Sequence, residues 1–172
     1  MRQQRTDLGG KRETVLMDDP DEIWSRATLG GGSNPRPGDA ALSAALAFHG
    51  LAMNGGMLHE FEVLDADELG RARDGFAWLA LTDVVQLLEA TAQSIASTDW
   101  DDEEAVDALE ASSDDAYSAI LPSDRALEDA FRRQLTEQPD AFNPILPTPA
   151  HLQGCVRCLH HERELWRPLP DS

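Results

Sequence analysis

The chain has 172 residues, of which 41% are hydrophobic, and this length suits one domain with a buried core. Thirty-two acidic residues against 14 basic ones give a formal net charge of −18, which argues against direct binding to nucleic acid or to anionic membranes. The sequence has no apolar window of membrane-spanning length and no apolar leader near Met1, so we expect a cytoplasmic protein.

The negative charge is concentrated in the middle of the sequence. Residues 60–140 contain 22 acidic and 5 basic residues, a net charge of −17, while the segments on either side are close to neutral. Helical periodicity is also clearest in this segment. The acidic residues are therefore predicted to lie on folded helices and not in a disordered acidic tail.

The first part of the chain predicts one short helix between irregular segments. Residues 1–17 are polar and mixed in charge, and we expect a flexible N-terminal segment there. The Asp-Asp-Pro-Asp sequence at 18–21 predicts a helix through Trp24, because Pro and acidic residues favour a helix N-terminus. Residues 29–38 contain four glycines and two prolines and predict a loop. The Gly-Gly-Gly-Ser sequence at 30–33 lacks the Lys and Ser or Thr of a phosphate-binding P-loop, which favours a linker.

The first long helix is predicted from Asp39 to Met53, with Leu42, Leu46 and the residues from Phe48 to Met53 on its buried side. Asn54, Gly55 and Gly56 then interrupt the apolar pattern, which resumes at Met57. Asn and Gly tolerate the left-handed backbone that ends a helix. We therefore predict a tight structural corner formed by Asn54, Gly55 and Gly56, with Gly55 as the left-handed residue.

The corner sequence Asn-Gly-Gly-Met-Leu-His-Glu-Phe, residues 54–61, resembles the bacterial DNA-mimic-protein family of small acidic helical proteins. The family pattern is Asn-Gly-Gly, an apolar residue, any residue, Gln, and one or two aromatics. His59 stands in place of the Gln, and Glu60 replaces the first aromatic. The similarity extends from about Leu42 to Phe142. The resemblance implies an acidic helical face that imitates DNA phosphates and occupies the nucleic-acid-binding surface of a basic protein such as a transcription regulator.

Apolar residues at helical spacing predict two amphipathic helices after the corner, separated near Leu81 and Thr82, with Thr82 or Asp83 as the cap of the second. Another helix is predicted after Ser123, which we expect to cap it. Its buried residues would be Leu127, Phe131 and Leu135, its outer residues Arg132 and Arg133, and its end Pro139.

The helix predicted from Glu103 to Leu121 carries the clearest functional pattern. Glu103, Asp107, Glu110 and Asp114 recur at spacings that place four carboxylates on one stripe, separate from the apolar stripe. Like charges one turn apart cost about 0.2–0.5 kcal/mol per pair, yet no Lys or Arg lies between residues 99 and 123. Four charges over about 16 Å approach the density of one DNA strand, which carries one charge per ~3.4 Å of axis.

These observations predict a partner-binding surface on this helix and on the acidic sequence before it. Trp100 lies inside that acidic sequence, and two interpretations remain open: it packs the loop on the domain, which we favour, or it is an exposed anchor at an interface. A row of exposed acids is unsuited to acid-base catalysis, which needs two carboxyl groups in different environments within a cleft. The predicted partner-binding residues are Trp100, Asp101, Asp102, Glu103, Glu104, Asp107, Glu110 and Asp114.

The first of two groups of residues that allow a metal or catalytic interpretation is a pair of histidines. His49 and His59 flank the corner and would need Glu62 or Asp65 as partners; the alternative, which we favour, is a pair of hydrogen-bonded histidines at a helix junction.

Residues 143–172 predict a Pro-rich connection and a C-terminal helix that starts near Thr148. Cys155 and Cys158 have the spacing of half a zinc site, to which His160 or His161 would add a third ligand. Redox activity would need a strand before the cysteines, which is not predicted. We favour two idle thiols in a reducing compartment, and we expect no metal, no cofactor and no catalytic residue.

Taken together, the periodic segments predict an all-α fold, a single compact domain of about six to eight helices over residues 18–142. The expected function is an acidic protein-interaction module, not an enzyme, that binds a basic DNA-binding protein or nuclease as a monomer or dimer. Two alternatives stay open: an immunity or antitoxin-like inhibitor of a basic nuclease or toxin, and a small metal-dependent enzyme.

Overall fold

A computed structural model describes residues 19–145, and the predicted N-terminal segment, C-terminal helix and Cys155–His161 cluster lie outside them. Within this range the all-α prediction is confirmed, because the chain forms seven α-helices and a 3-10 turn and contains no strand. The helices are α1 (Pro20–Thr28), α2 (Pro37–Gly55), α3 (Met57–Val63), α4 (Ala66–Trp78), α5 (Thr82–Ser97), α6 (Glu103–Ile120) and α7 (Asp124–Glu137), followed by the 3-10 turn Pro139–Ala141.

Helix α2 is the central element, and α1, α3, α4 and α7 all pack against it. Its closest neighbour is α4, where a Cβ added to Gly75 would lie 2.5 Å from the carbonyl oxygen of Ala41, so the two backbones meet without a side chain between them. Phe48 of α2 packs edge-on against Phe76 of α4, with ring centroids 5.8 Å apart. Burial of each ring contributes about 1.5–3 kcal/mol, which makes this pair the centre of the core.

Helix α2 is longer than predicted, and its C-terminal residues are less buried than predicted. It begins two residues before Asp39 and ends two residues after Met53. Met53 is 50% exposed, so the prediction that the buried side reaches this residue is wrong. Leu42 and Phe48 are fully buried, as predicted.

The corner after α2 is present, but its left-handed residue is Gly56 and the prediction of Gly55 is wrong. Gly56 donates the last helical hydrogen bond, to Ala52, so the helix includes Gly55. Gly56 itself has φ 85° and ψ 165°, a combination that is essentially restricted to glycine. The chain bends by 119° between α2 and α3 at this residue.

The break between α4 and α5 is also where the sequence predicts it, although the cap is different. The backbone N–H of Ala80 donates to Ala77 and that of Leu81 donates to Phe76, a Schellman motif that requires the left-handed φ of 59° at Ala80. Leu81 precedes the first residue of α5 and no side chain caps that helix, so the prediction of Thr82 or Asp83 as the cap is wrong.

Helix α7 begins and ends as predicted, after Ser123 and before Pro139. The Ser123 side chain does not cap the helix by a hydrogen bond. Beyond the 3-10 turn the chain returns to α1 and α2, where Arg26 donates to the carbonyl oxygen of Asn143 and Arg36 donates to that of Phe142. The folded unit therefore continues past residue 142, the predicted domain boundary.

Among residues 19–145, no single helix has both the length and the apolar composition needed to cross a membrane; α2 and α3 meet those criteria only when they are taken together across their bend.

Candidate protein-interaction surface

The acidic sequence before α6 forms a turn that starts the helix. Asp99 accepts a hydrogen bond from the backbone N–H of Asp101 at 3.1 Å, and Asp102 accepts one from Ala105 at 3.2 Å as the N-cap. Side chains of this kind satisfy backbone donors that have no partner inside the helix. These carboxylates thus have a structural role and still remain exposed to solvent.

Three of the four predicted row residues, Glu103, Asp107 and Glu110, are exposed on α6. Successive residues of an α-helix are rotated by about 100°. Measured from Glu103, Asp107 and Glu110 lie within about 40°, while the packed side chains Val106 and Tyr117 lie at about 300° and 320°. The row therefore borders the buried face of α6 and does not lie opposite it.

Asp114, the fourth residue of the predicted row, has a different environment. It is half-buried, and its Oδ1 accepts a hydrogen bond from the backbone N–H of Met57 at 2.7 Å. The carboxylate thus caps the first residue of α3, next to the left-handed Gly56. Because the row borders the buried face, its last member lies where α3 packs on α6. The prediction that Asp114 belongs to an exposed row of four is wrong.

Other exposed carboxylates widen the surface on the solvent side of α6. Glu104 and Asp115 lie at about 100° and 120° from Glu103, directly away from the packed face. We define the acidic surface as the eight exposed carboxylates of this turn and helix: Asp99, Asp101, Asp102, Glu103, Glu104, Asp107, Glu110 and Asp115.

Among the described residues, no lysine or arginine pairs with the acidic surface. The sequence from residue 74 to residue 124 contains no Lys or Arg. In the part of the chain that the structure describes, arginines pair with carboxylates on α1, α2, α4 and α7, and none of these ion pairs includes a member of the acidic surface. The surface therefore presents eight negative charges that have no ion pair within residues 19–145.

Trp100 lies in the middle of this charge, between Asp99 and Asp101, and is 50% exposed. About half of the side chain packs on the protein, and the other half is available for contact. The packing interpretation that we favoured thus describes only part of this residue, and a role as an interface anchor stays a prediction.

The two histidines at the corner do not meet. His49 is buried, and its ring nitrogens lie 2.9 Å from the Tyr117 hydroxyl and 3.0 Å from an Asp124 oxygen. His59 is exposed. Glu62 and Asp65, the partners predicted for this pair of histidines, are not the groups that His49 contacts. Residues 19–145 contain no group of three His, Cys, Asp or Glu side chains placed to hold a metal ion.

Glu60 is the residue that the sequence interpretation missed. It is 0% exposed, and neither carboxylate oxygen has a hydrogen-bond partner among the described residues. Burial raises the pKa of Glu60 to about 7. A signal was present in the sequence, because Met57, Phe61 and Leu64 recur at helical spacing and place Glu60 on the same face.

Comparison with known proteins finds no family model, no curated protein and no solved structure that matches this chain.

Proposed function

We propose that the protein is an acidic protein-interaction module that occupies the nucleic-acid-binding surface of a basic partner. The acidic surface carries this proposal, because it combines eight exposed carboxylates with no ion pair in the described part of the chain. A solvated helix surface usually mixes charges of both signs. A partner that supplies the missing cations would relieve the repulsion and bind through charge complementarity.

The free energy of that repulsion is appreciable. Two unit charges 6 Å apart, the spacing of residues one turn apart along a helix, repel by about 0.7 kcal/mol in water before salt screening. Glu103 and Asp107 form such a pair, and Asp107 and Glu110 are closer along the helix axis. Glu103 lies in the first turn of α6, where a negative charge stabilises the helix, whereas Asp107 and Glu110 lie beyond that turn and outside the packed stripe.

The spacing of the row approximates the phosphates of one DNA strand without copying them. Glu103, Asp107 and Glu110 extend over about 10 Å, or one charge per roughly 5 Å, against ~3.4 Å of axis per charge in a strand. Asp101 and Asp102 continue the charge beyond the first turn, and Glu104 and Asp115 add a second line around the helix. The resemblance of residues 54–61 to the DNA-mimic-protein family supports the same function.

The test begins with isolation of the partner from the native host and proceeds to a competition assay. A labelled DNA duplex bound to that partner is titrated with this protein, and fluorescence anisotropy measures its release. We expect the protein to release the duplex without binding it, and the release to weaken as salt rises from about 0.05 to 0.5 M because screening lengths shorten.

Charge reversal locates the binding surface. Asp107→Lys with Glu110→Lys should raise the concentration needed for release at least tenfold. The matched control is Glu22→Lys with Glu137→Lys, which changes net charge equally at exposed positions on α1 and α7. If both variants release the duplex equally poorly, net charge and not the acidic surface explains the release, which would contradict the proposal.

The identity of the partner distinguishes the proposed function from that of an immunity or antitoxin-like inhibitor. A partner that is a nuclease or toxin, inhibited by this protein at its active site, would favour the immunity or antitoxin-like interpretation. Trp100→Ala is informative in that case, since aromatic residues are frequent among the residues that dominate specific interfaces.

A further inference from the structure

The junction of α2, α3 and α6 contains several titratable side chains and no arginine or lysine of the described residues in contact with them. Glu60 comes from α3, His49 from α2, and Tyr117 and Asp114 from α6. Helices α2 and α6 are the ones that pack most closely on α3. Within residues 19–145, the titratable groups that α2 and α6 bring to this junction are thus His49, Tyr117 and Asp114.

Each of these neighbours is already engaged with another group. His49 has Tyr117 on one ring nitrogen and Asp124, at the start of α7, on the other. Asp114 accepts the backbone N–H of Met57. Glu60 alone has no partner on either oxygen within residues 19–145, although it is completely buried.

An ionised carboxylate in this position has no charge or hydrogen bond to offset the loss of its hydration, and the cost of such burial is large. The protonated form avoids most of that cost. The pKa of Glu60, raised to about 7 by burial, agrees with this geometry, and both burial and the charge of Glu60 raise the pKa of Tyr117.

We propose that the junction of α2, α3 and α6 is a pH-sensitive joint. With Glu60 protonated, α3 stays packed between α2 and α6. With Glu60 ionised, α3 separates from α6 and the hydrogen bond from Met57 to Asp114 opens. Asp114 then joins the exposed carboxylates of α6. The existence of the joint does not depend on the proposed function.

The direction of the pH effect follows from proton binding. The packed state binds the Glu60 proton more tightly than the open state, whose carboxyl has the ordinary pKa of 4.5. Packing of α3 is therefore complete below about pH 4.5. It weakens as the pH rises to about 7 and stays weaker at higher pH.

Hydrogen exchange of the α3 amides, followed by NMR at pH 5.5 and 8.5, tests the joint. After correction for the intrinsic pH dependence of exchange, protection of residues 61–64 should fall roughly 30-fold over this range, since part of the loss has already occurred at pH 5.5. Glu60→Gln should abolish that fall. Glu62→Gln, an exposed position on the same helix with the same loss of charge, should leave it unchanged.

Two outcomes would overturn the proposal. One is a fall in protection that persists in Glu60→Gln, which would assign the pH dependence to His49 or to general charge repulsion. The second outcome is observed in the unaltered protein, so it does not depend on whether Glu60→Gln folds. In the unaltered protein labelled with 13C at glutamate carboxyl carbons, one resonance should titrate well above pH 5.5, and its absence would contradict a protonated Glu60.

Discussion

Two regions of this protein use aspartate in opposite ways. Asp39 lies where residues 142 and 143 pack against α1 and α2. It is completely buried, and both oxygens of its carboxylate accept hydrogen bonds. Its Oδ1 accepts from Arg26 at 2.7 Å, and its Oδ2 accepts from the backbone N–H groups of Arg36 and Asn143 at 3.2 and 2.8 Å. On α6, Asp107 is exposed and belongs to a surface without an ion pair in the described chain.

The difference shows which charges maintain the fold. Asp39 binds Arg26, 13 residues before it, and Asn143, 104 residues after it, so its carboxylate holds distant parts of the chain together. In the acidic surface, Asp99 and Asp102 accept hydrogen bonds only from backbone groups two or three residues away, and its carboxylates raise the energy of the folded state through mutual repulsion. Charges that are retained at such a cost are the ones to examine for binding.

The largest effect is expected at Asp39. Asp39→Ala removes the acceptor of two backbone N–H groups and the carboxylate that pairs with Arg26, whose remaining acceptor is the carbonyl oxygen of Asn143, and should lower the free energy of unfolding by about 3–5 kcal/mol. Urea denaturation measures it. Asp74→Ala is the control, because Asp74 pairs with Arg73 on the exposed surface, where solvent screens the pair, and the loss should be much smaller. Equal losses in the free energy of unfolding would show that the buried Asp39 contributes no more to stability than an exposed ion pair.

The corner between the two regions should respond next. Gly56→Ala introduces a Cβ at φ 85°, 2.9 Å from an oxygen of Asp114, and should cost about 1–3 kcal/mol. Gly50→Ala, in the middle of α2 with open space around the new Cβ, should be neutral or stabilising by up to about 1 kcal/mol. A thermal melt that places both variants at the parent temperature would disprove the assignment of Gly56 as the strained residue.

Asp114 and Asp107 allow the comparison within a single helix. Asp114→Ala removes the acceptor for Met57 and should cost about 0.5–2 kcal/mol, the usual range for loss of a helix cap. Asp107→Ala removes only a repulsive charge and should leave the free energy of unfolding unchanged or slightly raised. Chemical denaturation of both variants at low salt decides between them, and a loss at Asp107 equal to that at Asp114 would contradict the distinction.

The smallest effect concerns the acidic surface itself. Asp107→Lys with Glu110→Lys leaves these two positions with like charges but makes their contacts with the remaining carboxylates attractive, and should raise the free energy of unfolding by roughly 0.5–1 kcal/mol at low salt. In about 1 M salt the gain should nearly vanish, because the Debye length falls to ~3 Å. Asp107→Asn with Glu110→Gln, measured alongside, should produce a similar gain, because it also removes the repulsion between residues 107 and 110 that two lysines would restore. A destabilised reversal would mean that the surface contributes to folding.

The sequence by itself determined the helical class, the separation of α4 from α5, the ends of α7 and the position of the corner. These features depend on local patterns: apolar residues every three or four positions, and Gly or Pro where a helix stops. The concentration of charge on α6 is equally local, since residues 103, 107 and 110 share a face in any α-helix. The proposed partner class follows from that charge and remains a prediction.

Tertiary structure alone decided which of these residues has which role. Asp114 caps α3 because α3 packs against the last turns of α6, and helical spacing cannot show what lies beside a stripe. Gly56, not Gly55, takes the left-handed conformation because the final hydrogen bond of α2 reaches it. His49 contacts Tyr117 and Asp124, which are 68 and 75 residues away. Contacts over such distances follow from the packing of the helices, on which a local pattern carries no information.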